Sequence, residues 1–227
     1  MLLVPRRKPV LFGGPSVASS IQQYRKLFDV RPPVKRDDLY ELSEQQRPGC
    51  ALIIDGLFGS AMAISPIECI DLMKRGWLLY GASSMGALRA ADCCTVGMMG
   101  VGDIFNGFHL GYFHSDSDVA VKYDAKNYSE ITVPYVQVDH VVSILKLQER
   151  IPDAKARLVL NALKKIPWHD RYPTLIADHL LELFKGVKRE DLLEYLTSFQ
   201  YSLKRKDACM ATNLIARYYS KKDMDFI

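Results

Sequence analysis

"CALIIDGLFGSAMAISPIECIDLMKRGWLLYGAS", residues 50–83, decides the fold class. An apolar run from Cys50 ends in Asp55-Gly56, and a second from Trp77 ends in Gly81-Ala82-Ser83. A helix is marked between them. Ser65 suits the N-cap, Pro66 the first helical position, Glu68 completes a capping box, and Gly76 ends the element. Strand, helix and strand with short connections predict a parallel α/β unit. Working outward, "PVLFGGPS" (9–16) reads as an earlier strand and "SMGALRAADCCTVG" (84–97) as a helix closed by Gly97. A short helix is expected from near Asp103, and "SDVAVKYD" (117–124) alternates like a short edge strand.

From about residue 137 the texture changes. "VDHVVSILKLQERI", "PDAKARLVLNALKKI", "YPTLIADHLLELFKG" and the stretch from Arg189 all carry apolar residues at helical spacing, with Pro152, Pro167 and Pro173 at element starts. The expected architecture is α/β, a parallel sheet with flanking helices in the N-terminal half, followed by a mainly helical C-terminal region. The sequence divides into an α/β domain over 1–136 and a helical region over 137–227.

Composition narrows the function classes. At 227 residues, 48% hydrophobic and 25% charged, the chain reads as a soluble globular protein with a full core. Residues 1–140 hold 14 Lys+Arg against 15 Asp+Glu, and residues 141–227 hold 16 against 11. That mild basic excess is scattered through helical patterns, so no nucleic-acid stripe is predicted. No run of about 18 apolar residues is present, so no membrane span is expected. Pro5 and Arg6 break the opening segment before it reaches signal-peptide length. Five cysteines without paired spacing suit neither a metal site nor a disulfide framework, and a reducing, cytoplasmic setting is the expectation.

Ligands of open parallel sheets bind beyond the carboxyl ends of the strands. Gly14 and Ser16 follow the first apolar run, Asp55 and Gly56 the second, and Gly81, Ser83 and Ser84 the third. If these strands are neighbours, the three loops converge. Residues 82–86 place small residues on both sides of Ser84, an arrangement that turns a strand sharply into a helix and exposes a hydroxyl. The Met85 N–H and the positive helix end would then hold an oxyanion. Plain helix capping by Ser83 or Ser84 is the structural alternative. A serine nucleophile needs a base, and no histidine is placed by local sequence; Lys74 and Lys122 are the nearest candidates. Arg89 either binds an acidic substrate or pairs with Asp92. No metal or other cofactor is called for.

"LFGGPS" (11–16), "IIDGLF" (53–58), the Glu68 helix, "YGASSMGALRAAD" (80–92), "GMMGVGDIF" (97–105), "DVAVKY" (118–123) and "KKIPWHDRYPTLI" (164–176) together resemble the TfuA-like protein family. The resemblance covers about residues 9–180. It implies a partner of a YcaO-type ATP-dependent enzyme in peptide backbone thioamidation. The implied activity is hydrolysis of the thiocarboxylated C-terminus of a small ThiS-like carrier protein to release sulfide, through a Ser–Lys site. Ser84 matches the family's serine best, because some members carry alanine where Ser83 stands. Many relatives read His-Lys-Glu where this chain has Pro66-Ile67-Glu68, which leaves the lysine of such a pair unassigned. A non-catalytic adaptor that docks on the YcaO enzyme is the competing expectation, and a small-anion-binding α/β protein a third.

Overall fold

A computed structural model describes residues 7–182, 184 and 186–224. Met1–Arg6 of the opening segment therefore lie outside the described residues. The chain divides into two compact units, one of residues 1–112 with 206–227 and one of 113–205.

The first unit is built on five parallel strands: β1 (Val10–Phe12), β2 (Asp29–Arg31), β3 (Cys50–Ile53), β4 (Leu78–Ala82) and β5 (Met99–Val101). They lie in the order β2-β1-β3-β4-β5. Side chains alternate across a strand, and the apolar residues sort accordingly. Val10, Phe12, Ala51, Ile53 and Leu79 enter one core with residues of α2 (Asp38–Gln45), α3 (Pro66–Lys74) and α4 (Met85–Cys93). Leu11, Cys50, Leu52, Ile54 and Ala82 enter another, covered by Tyr24 of α1 (Ile21–Leu27) and by Ala208, Ala211 and Ile215. Those last three belong to α10 (Leu203–Met224), which follows the helices of the second unit in sequence. Both faces of the sheet are thus buried, which is why its strands read as continuous apolar runs.

The capping signals hold. Ser65 accepts from the Glu68 N–H, Glu68 accepts from the Ser65 N–H, and Pro66 opens α3. Gly76 and Gly97 take positive φ at the ends of their helices. Two segments differ from the sequence reading. No strand is read between Gly97 and Asp103, yet Met99–Val101 pairs with β4 as the edge strand β5. Gly100 belongs there because a Cβ would overlap the Phe105 ring of α5 (Asp103–His109). The edge strand read over 117–124 is instead a 3-10 turn at Asp116–Asp118, followed by one bridge from Tyr123 to Glu130. The Asp118 carboxylate accepts the His114 and Ser115 N–H groups and folds the backbone back on itself there.

The second unit packs α6 (Tyr135–Leu147), α7 (Asp153–Lys164), α8 (Pro173–Leu181) and α9 (Arg189–Thr197) around Val138, Val142, Val159, Leu163, Ile176 and Leu192. Two of its buried polar side chains are anchored to backbone. Arg171, 2% exposed, donates to the carbonyls of Ile166 and Ser117. Gln137 donates to Tyr195 and Tyr201 and accepts from the Leu203 N–H. Among the described residues, no helix is long and apolar enough to cross a membrane.

Candidate functional site

β1, β3 and β4 are adjacent, so the segments leaving their carboxyl ends meet. Asp55 follows β3 and is 3% exposed. Its Oδ2 accepts from the Gly14 N–H at 2.8 Å and the Ser16 N–H at 3.0 Å. Its Oδ1 accepts from the Ser16 hydroxyl at 2.6 Å. The Ser83 hydroxyl donates to Ser16 Oγ at 2.9 Å. A carboxylate is thereby joined through one hydroxyl to a second, with all three side chains under 5% exposed. Buried polar groups need such partners, and a charge held by three donors has its desolvation offset.

Ser83 occupies the turn between β4 and α4 with φ +69°, the left-handed region that L-residues with a side chain rarely adopt. The bend is tight on every side. A Cβ on Gly81 would overlap the Gly86 carbonyl, and one on Gly86 would overlap the Ile53 carbonyl, so α4 starts directly against β3. Gly56 has the same role against Met85, whose Cγ would lie 2.7 Å from an added Cβ. Ser84 is the N-cap of α4, but its side chain makes no capping hydrogen bond. Its N–H donates to the Ala82 carbonyl at 2.9 Å and the Ile54 carbonyl at 3.3 Å. The Met85 N–H opens the helix, where the first amides lack an intrahelical acceptor.

The remaining predicted side chains have other partners. Arg89 donates to the Ile64 carbonyl at 2.9 Å and pairs with Asp92. Lys74 is exposed at the end of α3 and pairs with Asp71 at 3.5 Å. Lys122 belongs to the second unit, with its Nζ 5.8 Å from the centre of the Tyr172 ring. Ile67 is 64% exposed on the first turn of α3.

The chain matches the model of the TfuA-like protein family over residues 55–172, just over half of its length. The chain belongs to the TfuA-like family. No curated protein matches it. Asp55, Ser83 and Ser84 of this TfuA-like protein fall inside the matched segment, while Gly14 and Ser16 precede it. Among the described residues, no cluster of three or more His, Cys, Asp or Glu is placed to hold a metal ion.

Two features escaped the sequence reading. Asp207 of α10 is fully buried and accepts from the Asp103 N–H at 3.0 Å and the Ile104 N–H at 2.8 Å, which caps α5. Gly102 makes room for it, since a Cβ there would overlap the carboxylate. Burial pushes the Asp207 carboxyl up to about 6. Cys69 and Cys93 are both buried, and their thiols hydrogen-bond to each other, which with burial raises Cys69 well above the ordinary thiol range. Neither feature has a signal in local sequence, because each joins residues from separate elements.

Proposed function

We propose that this TfuA-like protein is a serine-dependent hydrolase that removes sulfur from a thiocarboxylated ThiS-like carrier and serves a YcaO-type enzyme in backbone thioamidation. The observation that carries the reading is the strained serine at the β4–α4 turn, tied through Ser16 to Asp55. A thiocarboxylate carbon is an acyl centre with a sulfur leaving group, and acyl transfer needs an oriented nucleophile beside a positive helix end. The substrate class and the YcaO partner come from the family resemblance.

One observation favours a second reading. Ser83 is 0% exposed and Ser84 2%, as befits a structural polar cluster in an adaptor that docks on the YcaO enzyme without chemistry of its own. Sulfide release from a thiocarboxylated ThiS-type carrier, with the carrier's mass followed in parallel, separates the two. The hydrolase reading expects desulfuration by wild type and none by the Ser83→Gly/Ser84→Ala double variant. An intact carrier with both proteins, each still binding the YcaO enzyme, establishes the adaptor.

A further inference from the structure

We infer that Ser83 is the attacking residue and that Ser16 and Asp55 are its positioning residues, forming a relay that takes and returns the serine proton. The assignment rests on the hydrolase reading above and goes beyond it, because the family resemblance points to Ser84 and to a lysine partner.

The direction of the hydrogen bonds is fixed by chemistry. An ionised carboxylate can only accept, so the Ser16 proton points to Asp55 Oδ1, 2.6 Å away. Ser16 Oγ is then left to accept, and the Ser83 proton points to it across 2.9 Å. Ser16 cannot rotate out of this role. Its own N–H and its hydroxyl both bond to the Asp55 carboxylate, which the Gly14 N–H holds from a third side. The lone pairs of Ser83 Oγ are thereby aimed away from the relay.

The backbone supplies an independent argument. Glycine adopts φ +69° at no steric cost, and a side chain there costs about 1–3 kcal/mol. The fold places glycine at Gly81 and Gly86, either side of this turn, where packing alone decides. A serine at positive φ on a sharp strand-to-helix turn shares the backbone pattern of a nucleophile turn, although its side chain is buried here. Ser84, with φ −115°, lies outside the left-handed region, and its side chain makes no capping hydrogen bond.

The steps balance. Ser83 Oγ bonds to the thiocarboxylate carbon while its proton passes to Ser16 and the Ser16 proton to Asp55. The Met85 N–H and the start of α4 face the oxyanion. The proton returns along the relay to sulfur as the C–S bond breaks, so RCOS⁻ and Ser83–OH give the Ser83 acyl ester and HS⁻. Water then attacks the ester by the same route, leaving a carboxylic acid, which ionises in water, and free Ser83–OH. No lysine is needed in either half.

Two measurements test the relay. In the carrier assay, Asp55→Asn and Ser16→Ala lower kcat by about 10²- to 10⁴-fold per folded molecule with KM held within about threefold, and Ser83→Gly removes turnover. Separately, diisopropyl fluorophosphate labels wild type, peptide mapping places the added mass on Ser83, and Asp55→Asn slows labelling by a similar factor. Unchanged kcat in folded Asp55→Asn, or a label on Ser84, overturns the relay. Label on Ser83 without sulfide release supports the relay and overturns the thiocarboxylate reading. Sulfide release that survives Ser83→Gly overturns the relay and leaves a hydrolase. Neither label nor release from wild type overturns both.

Discussion

Asp207 makes the stability of the first unit depend on pH in an unusual direction. Burial pushes its carboxyl from the ordinary 3.8 up to about 6, against the two α5 amides and the Lys206 ammonium, which favour the ion, and with the Asp103 carboxylate, which opposes it. The folded state therefore holds this proton more tightly than the unfolded chain. Its contribution is most favourable below about pH 4 and is lost as pH rises through about 6. A difference of about two pH units is worth about 3 kcal/mol at 1.36 kcal/mol per unit. Asn at this position does not titrate, so the stability of wild type minus that of Asp207→Asn should fall by about 3 kcal/mol between pH 4 and 7.5. The chain has two tryptophans, and Trp77 lies 4% exposed in the first unit. In a Trp168→Phe background its fluorescence reports that unit alone. Urea unfolding at four pH values should show the difference in midpoints shrinking by about 1–3 M as pH rises. A difference that stays flat, or grows toward neutral pH, refutes the argument.

The remaining expectations concern packing. Gly86→Ala should destabilise the first unit by about 3 kcal/mol, because the methyl group has only the Ile53 carbonyl to displace and α4 must lift from β3; a melting temperature within a degree of wild type contradicts this close approach. Arg171→Lys should cost the second unit about 2–4 kcal/mol, since an ammonium cannot span the Ile166 and Ser117 carbonyls; Trp168 fluorescence in a Trp77→Phe background reads it, and an unchanged midpoint disproves the anchor.

Much of the fold is legible in the sequence because local chemistry states it. The Ser65–Glu68 box, Pro66, Gly76 and Gly97 announce α3 and α4, and the apolar runs at 10–12, 50–53 and 78–82 announce the three central strands. Edge strands lack that signal. Asp29–Arg31 is polar and half-buried, and Met99–Val101 hides among glycines, of which Gly100 admits the Phe105 ring. The candidate site was legible as a place rather than as a mechanism. Strand order brings Ser16, Asp55 and Ser83 to one sheet edge, but which hydroxyl bonds to which group depends on a φ of +69° and on distances no spacing encodes.

The make-up of the first unit also bears on biosynthesis. Leu11, Leu52, Ile54 and Ala82 share their core with Ala208, Ala211 and Ile215, and Tyr24 reaches Cys209 across 185 positions of sequence. During translation, one face of the parallel sheet stays uncovered until α10 has left the ribosome, after the helices of the second unit have been made. Such late closure favours slow maturation and exposes an aggregation-prone surface in the nascent chain. The second unit carries its own apolar core within 113–205 and does not wait on Ala208, Ala211 and Ile215 to close it.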